Sequence, residues 1–93
     1  MKRAAKIDRN QPEIVEALRK VGALVYPMHQ IGGGFPDLLV WFRGVYRLLE
    51  VKDGTLPPSR RALTEDQVRF HSIWPVTVVK SVDEALEAIG VKP

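Results

Sequence analysis

The chain has 93 residues, of which 45% are apolar and 27% charged, a composition that suits one small globular domain. No apolar run approaches the roughly 18 to 20 residues that a membrane span requires, so we expect no membrane partner. Cysteine is absent and no apolar stretch follows the basic N-terminus, which argues against a disulfide framework and a signal peptide. We therefore expect a single domain over residues 1–93 and an intracellular, cytoplasmic location.

The charge of the chain favours polyanionic partners such as nucleic acid, because the net charge is +3 and the sequence pI is about 9.5. Basic side chains gather in an N-terminal arm over residues 1–9 and in the stretch 52–61. Arg60 and Arg61 lie in that second stretch and are the candidate DNA-contact residues. A plain solvated loop is the alternative interpretation.

The first regular element is predicted to be a helix from about Asn10 to Val21. Asn10 can cap its start, and Glu13 stands three positions later, where a capping box places an acid. Apolar residues recur on one stripe of this helix, and Gly22 ends it. A short strand over residues 23–29 and a glycine loop at 32–34 are predicted to follow.

The centre of the chain is predicted to be a hairpin. Two β-prone runs, Asp37–Phe42 and Val45–Lys52, are joined by Arg43 and Gly44, a spacing typical of antiparallel strands. The remaining elements are a loop (53–63), a helix (64–73), a strand (75–80) and a helix (81–89). This αβββαβα order predicts an α/β domain with a small mixed sheet flanked by helices.

The hairpin brings three charged residues together. Counting outward from Phe42 opposite Val45 sets Asp37 opposite Glu50. Directly opposed like charges destabilise a sheet unless a positive group lies between them, and a divalent cation would supply it. Lys52, two residues after Glu50, shares its face of the strand.

Two acids and a lysine are the side chains that phosphodiester hydrolysis needs. Carboxylate oxygens suit Mg²⁺, which polarises the phosphate and lowers the pKa of a bound water, and a lysine can orient that water or offset transition-state charge. Gly33 and Gly34 would let a nucleic-acid backbone approach closely, because glycine has no side chain.

The alternative is a Glu50-Val51-Lys52 triplet that lies on a solvent face without a catalytic role. The apolar runs at 38–40 and 48–49, however, predict strands buried on much of both faces. Charged groups in such strands are seldom accidental, so the pattern favours a functional site.

These motifs resemble a known family. Gly34-Phe35-Pro36-Asp37, an apolar strand and Leu49-Glu50-Val51-Lys52 are similar to the PD-(D/E)XK nuclease superfamily and, within it, to the stand-alone virus-type members of the VRR-NUC branch. Pro-Pro-Ser at 57–59 and Leu-Thr-Glu-Asp-Gln-Val at 63–68 add to the likeness, which covers roughly residues 8 to 89. The resemblance implies a restriction-endonuclease-like fold.

The resemblance also implies roles for individual residues. Asp37 and Glu50 would bind Mg²⁺ or Mn²⁺ together with the carbonyl of Val51, and Lys52 would be the catalytic lysine. Gln67 matches a glutamine that the family places near the metal or the DNA, although it can equally cap the helix that Thr64 opens.

The first helix departs from the family pattern. Many members carry a glutamate there as a further metal ligand, and the corresponding position is Gln11, with Glu13 nearby. Gln11 could ligate through its amide oxygen or through water, and Glu13 could take the role or act only in the cap. The number of bound metal ions is therefore left open.

The function implied is that of a metal-dependent, structure-specific DNA endonuclease, acting as a homodimer on branched DNA such as Holliday junctions. The alternative function is a non-catalytic nucleic-acid-binding domain that retains the fold. His29 and His71 are interpreted as surface or partly buried side chains, since two histidines without cysteine do not make a structural zinc site. Trp41, Phe70 and Trp74 are expected mainly in the core.

Overall fold

The structure, a computed structural model, describes residues 7–92. Most of the predicted basic arm (residues 1–9) lies outside the described residues. No helix in the described part is long and apolar enough to cross a membrane. The elements in chain order are α1 (Gln11–Lys20), β1 (Leu24–Pro27), β2 (Leu38–Phe42), β3 (Val45–Val51), a 3₁₀ turn (Pro58–Arg60), α2 (Glu65–His71), β4 (Val76–Val79) and α3 (Val82–Ala88).

The β2–β3 hairpin has the turn and the register that the sequence predicts. Arg43 and Gly44 both have positive φ, 51° and 82°, as a two-residue turn matched to the twist of the strands requires. Phe42 pairs with Val45, and the antiparallel ladder runs outward to Leu38 opposite Leu49. Strand β2 begins at Leu38, one residue later than predicted, so Asp37 lies immediately before the strand.

The four strands form one mixed sheet in the order β1-β2-β3-β4. The first three strands are antiparallel neighbours, and β4 lies parallel to β3 after a crossover that contains α2. This α/β architecture, with a small mixed sheet and three helices, agrees with the predicted αβββαβα order. One face of the sheet packs against α1 and α3 to form the core, whose fully buried members include Ile14, Leu18, Leu38, Val40, Leu49, Val51 and Ala85.

The opposite face of the sheet is largely uncovered, and we call it the open face. It is formed by Leu24, Tyr26, Leu39, Trp41, Tyr46 and Leu48. Tyr26 and Tyr46 are each 70% exposed, and Leu24 is 65% exposed. The predicted burial of both strand faces holds only in part: Leu38, Val40 and Leu49 are buried against α1 and α3, whereas Leu39 and Leu48 on the open face are half-buried.

The start of α1 differs from the predicted capping box. The Asn10 side chain makes no capping hydrogen bond. Its Nδ2 instead donates to the carbonyl oxygens of Lys52 (3.1 Å) and Lys80 (3.2 Å). The amide thus ties the beginning of α1 to the segments that follow β3 and β4, and Glu13 stays exposed.

The starts of α2 and α3 form a complete and a partial capping box, respectively. The Thr64 hydroxyl oxygen accepts a hydrogen bond from the Gln67 backbone N–H, and the Gln67 side-chain oxygen accepts one from the Thr64 backbone N–H. Ser81 accepts from the Glu84 backbone, but the Glu84 carboxylate accepts from the N–H of Lys80 rather than from the capping residue itself.

The aromatic side chains after the glycine loop form a small cluster of their own. Phe70 on α2 meets Phe35 edge-on at 5.2 Å between ring centroids and stacks on Trp74 at 5.8 Å. Trp74 is 54% exposed, so its expected place in the core is wrong. The cluster instead holds α2 against the glycine loop.

We expect Asn10→Ala to lower the free energy of unfolding by about 1–3 kcal/mol, because two carbonyl groups lose their donor. Glu13→Ala is the matched control and should change it by less than about 0.5 kcal/mol, since Glu13 is exposed and takes no part in a cap. Urea unfolding of the two variants measures the difference. Equal losses of stability in the two variants would indicate that Asn10 and Glu13 act together in the predicted capping box.

Candidate active site

The carboxyl groups of Asp37 and Glu50 meet where the hairpin ladder ends. Asp37 is 6% exposed and Glu50 is 2% exposed. The Oδ2 of Asp37 accepts a hydrogen bond of 2.8 Å from the backbone N–H of Val51, and the Asp37 carbonyl accepts one of 2.7 Å from Met28. The strand ends therefore hold the Asp37 carboxylate against Glu50.

This contact changes the protonation of Glu50. Burial, followed by a hydrogen bond to Asp37 and the charge of Asp37, raises the pKa of Glu50 from 4.5 to about 9, although the charge of Lys52 opposes the rise. Without a cation between them, the two carboxyl groups hold a proton at neutral pH. In the metal-free protein, this proton relieves the repulsion between the two carboxylates. The sequence predicted a metal ion in that role.

Gln67 links the lysine to the glutamate. Its Nε2 donates to Glu50 Oε2 at 3.0 Å, and its Oε1 accepts from Lys52 Nζ at 3.0 Å and from the Thr64 backbone N–H at 2.9 Å. Lys52 Nζ lies 3.9 Å from the same Glu50 oxygen. Gln67 therefore caps α2 and at the same time contacts two of the predicted site residues, Glu50 and Lys52.

His71 reaches the other oxygen of Glu50, a placement that sequence reasoning missed. Its Nε2 lies 4.0 Å from Glu50 Oε1, and both atoms are buried without a hydrogen-bond partner among residues 7–92. Burial, and then the charge of Lys52, lowers the pKa of His71, which keeps the imidazole neutral. The signal was available in the sequence, since His71 follows Gln67 by four residues and so shares its face of α2.

Asp8 is the second residue that the sequence did not single out. Its charge contributes to the raised pKa of Glu50, so its carboxylate lies within electrostatic reach of the site. Asp8 precedes α1 and its carbonyl accepts the N–H of Gln11 at 3.0 Å. No periodicity or cap pattern marks this position, because it lies in irregular chain.

The structure separates the two predicted ligands on α1. Gln11 is 4% exposed, and its Oε1 has no hydrogen-bond partner in the described part of the chain. It borders a cleft of about 740 Å³ that also contains Arg19 and His29. Glu13 instead lines a different cleft, beside Asp53 and Lys80.

The glycine loop has a packing reason for its composition. Gly33 and Gly34 have positive φ, 66° and 86°. A side chain at Gly34 would collide with the backbone carbonyl of Asp66, in the first turn of α2. The glycines therefore let this loop lie against the helix that carries Gln67 and His71.

The two predicted DNA-contact arginines differ in their surroundings. Arg60 is exposed at the end of the 3₁₀ turn. Arg61 is partly buried, and its Nε donates to the carbonyl of Leu56 at 2.9 Å. Arg61 thus closes its own loop, whereas Arg60 projects from it.

The donor groups of the site suit a hard divalent cation. Within residues 7–92, no three His, Cys, Asp or Glu side chains are already gathered around one metal position. Asp37 and Glu50 nevertheless offer carboxylate oxygens, and the partnerless Oε1 of Glu50 is a buried acceptor that requires a positive or hydrogen-donating neighbour. A cation would bind in place of the proton that the carboxyl pair holds.

We expect the stability of the metal-free protein to fall as pH rises from about 5 to 9. The pKa of Glu50 is about 9 when folded and 4.5 as a model value, so the folded state binds the extra proton in this window. The slope reaches at most about 1.4 kcal/mol per pH unit. Urea unfolding in EDTA should show this slope in the wild type and lose much of it in Glu50→Gln.

Glu87→Gln serves as the control, because Glu87 is an exposed carboxyl on α3. It should keep the wild-type slope. An unchanged slope in Glu50→Gln would show that Glu50 is ionised in the folded protein and that the two carboxyl groups do not share a proton.

Comparison with known proteins does not identify a family for the chain. No protein-family model, no curated protein and no solved structure matches it. The site itself, with its buried acid pair, its lysine and the two side chains from α2, is the basis for a functional conclusion.

Proposed function

We propose that this chain is a Mg²⁺- or Mn²⁺-dependent DNA endonuclease that hydrolyses phosphodiester bonds. The observation that carries the proposal is the buried contact between the Asp37 and Glu50 carboxyl groups, with Lys52 3.9 Å from Glu50. Burying two acids against each other destabilises a fold, so such a pair is more readily explained by chemistry than by packing. The resemblance to the VRR-NUC branch of the PD-(D/E)XK nucleases supports the same conclusion.

Each residue of the site has a distinct task in this proposal. Asp37, Glu50 and the carbonyl of Val51 hold the cation, which when bound polarises the scissile phosphate and lowers the pKa of a water. Lys52 orients the attacking water and offsets negative charge in the transition state. Gln67 keeps the ammonium of Lys52 at 3.0 Å from its amide oxygen, so the lysine is positioned before substrate arrives.

The substrate proposed is branched DNA such as a four-way junction, encountered inside the cell. A chain with net charge +3 attracts a polyanion, and the exposed Arg60 provides a contact to phosphate. Gly33 is exposed and is proposed to let the DNA backbone approach closely, whereas Gly34 is packed against α2 and would act by holding this loop in place. The preference for junctions follows from the family resemblance alone.

We also propose that the active species is a homodimer formed through the open face. Apart from Glu50 at its end, this face of the strands carries no charged side chain from Leu24 to Val76. Two copies that each carry net charge +3 can meet there without placing like charges opposite each other. Tyr26 and Tyr46 are exposed tyrosines, a residue type enriched in the cores of protein interfaces. A dimer would also bring one active site to each of two DNA strands.

Cleavage of junction, flap and linear DNA in Mg²⁺, Mn²⁺ and EDTA tests the proposed activity. We expect metal-dependent cuts by the wild type and a loss of about 10²- to 10³-fold or more in Asp37→Asn and in Lys52→Ala. Lys20→Ala is the matched control, because Lys20 is an exposed lysine on α1, and it should cleave as the wild type does.

Two outcomes would contradict the proposal. Full activity in Asp37→Asn would show that the Asp37–Glu50 carboxyl pair is not needed for cleavage. Salt-dependent DNA binding without cleavage in any metal, unchanged in Lys52→Ala, would identify the chain as a non-catalytic nucleic-acid-binding domain.

We expect Tyr46→Glu to convert the dimer to a monomer, because it buries a charge in the part of the open face that α2 leaves uncovered. Val21→Glu is the control, since Val21 is also an exposed apolar residue (38%) but lies at the end of α1. Sedimentation equilibrium measures both. A wild type that is monomeric at all concentrations, or an unaffected Tyr46→Glu, would exclude this interface.

A further inference from the structure

We propose that His71 is a ligand of the bound cation through Nε2 and that it makes the site prefer Mn²⁺ to Mg²⁺. The inference rests on the proposed function, because it concerns the same cation that Asp37 and Glu50 would hold. It adds a nitrogen donor to a site for which the sequence suggested only oxygen donors.

The geometry around Glu50 carries this inference. His71 Nε2 and Glu50 Oε1 face each other at 4.0 Å, and both are buried without a hydrogen-bond partner among residues 7–92. Buried polar atoms are nearly always paired, and 4.0 Å is too long for a direct hydrogen bond. Adjacent ligands of one cation, each at about 2.0–2.2 Å from it, lie about 3 Å apart, so the two atoms would have to move closer together when a cation binds. This is in keeping with the lack of a preformed three-ligand group among residues 7–92.

The helix α2 brings two of its polar side chains, Gln67 and His71, to the Glu50 carboxylate. Gln67 binds Glu50 Oε2 at 3.0 Å, and His71, one helical turn later, faces Oε1. The Thr64 capping box fixes the start of the helix, and the Phe35–Phe70 contact fixes its side. The Gln67 amide thus occupies Glu50 Oε2, while Glu50 Oε1 stays available and faces the His71 imidazole.

The chemistry of the donor predicts the metal preference. Mg²⁺ favours oxygen ligands and retains its waters, whereas Mn²⁺ and later transition ions accept imidazole nitrogen readily. Removing the imidazole should therefore weaken Mn²⁺ binding more than Mg²⁺ binding. A residue that only steadied Glu50 would affect both ions alike.

Electron paramagnetic resonance of the tag-free protein with Mn²⁺ tests the assignment without reference to cleavage. The chain contains only two histidines, so a coupling from a coordinated imidazole nitrogen in His29→Gln has to come from His71. We expect this ¹⁴N coupling in the wild type and in His29→Gln, and its loss in His71→Gln. His29 lines the separate cleft beside α1, which makes it a matched control.

Titration of the same proteins supplies the second readout. We expect the Mn²⁺ affinity of His71→Gln to fall by about 10-fold or more, and its Mg²⁺ affinity, measured by competition with Mn²⁺, by less than about 3-fold. Circular dichroism establishes that the variant is folded. If it is not, the coupling in His29→Gln still decides whether His71 is a ligand.

The outcomes separate this inference from the proposed function. Bound Mn²⁺ without an imidazole coupling, or equal losses of the two affinities in His71→Gln, overturns the role of His71 while leaving the nuclease proposal intact. Mn²⁺ that does not bind, or whose affinity is unchanged in Asp37→Asn, overturns the metal site itself. Cleavage activity then has to be explained without it.

Discussion

The contact between the carboxyl groups of Asp37 and Glu50 governs the rest of the site, because two buried acids cannot both ionise unless something positive joins them. The hairpin register sets the two residues opposite each other, and the backbone of Val51 fixes the Asp37 side. Burial keeps Glu50 protonated in the metal-free protein, and at the proposed metal site a cation would take the place of that proton. If the proposed cation binds, its binding and the deprotonation of Glu50 would be one event, so the affinity for the cation should depend on pH.

The second constraint is that the helix completing the site has few apolar contacts of its own. No residue of α2 is fully buried. Its position depends on the Thr64 capping box, the aromatic contacts of Phe70, and the hydrogen bonds of Gln67 to Lys52 and Glu50. Because such a helix is weakly held, occupation of the carboxylates and order in α2 should stabilise each other.

Local rules predicted much of the fold and part of the site. The Arg43-Gly44 turn allowed the hairpin register to be counted, and the register brought Asp37 to Glu50. Propensity could not show that α1 and α3 pack on one side of the sheet, since an apolar strand looks alike whether one face or both are covered. The predicted cap at Asn10 was wrong for a related reason. Its side chain can form either a local cap or hydrogen bonds to two distant carbonyl groups, and only the folded chain brings those carbonyl groups near.

The same limit explains which site residues were missed. Gln67 was predicted as a cap from a local pattern and as a site residue only from the family resemblance, because its bonds to Lys52 and Glu50 join distant parts of the chain. His71 shares the face of Gln67, a fact that becomes informative only once Glu50 is known to lie beneath that face. Asp8 acts on Glu50 from irregular chain, where no period exists to mark it.

The position of the site on the sheet constrains the proposed dimer. Glu50 lies on the same face of β3 as Leu48 and Tyr46, so α2 covers one end of the open face and leaves the other end bare. If two copies stacked with their site ends together, α2 would meet α2 and hold the sheets apart beyond their usual spacing of about 10 Å. A two-fold axis perpendicular to the strands avoids this clash, because each α2 then flanks the bare end of the other sheet. With the axis beside Leu48, the middle residue of β3, each Glu50 would lie two residues from the axis, so the two sites would be separated along the strands by roughly 13 Å. A dimer of this form would cut two DNA strands at separate points rather than at one shared position.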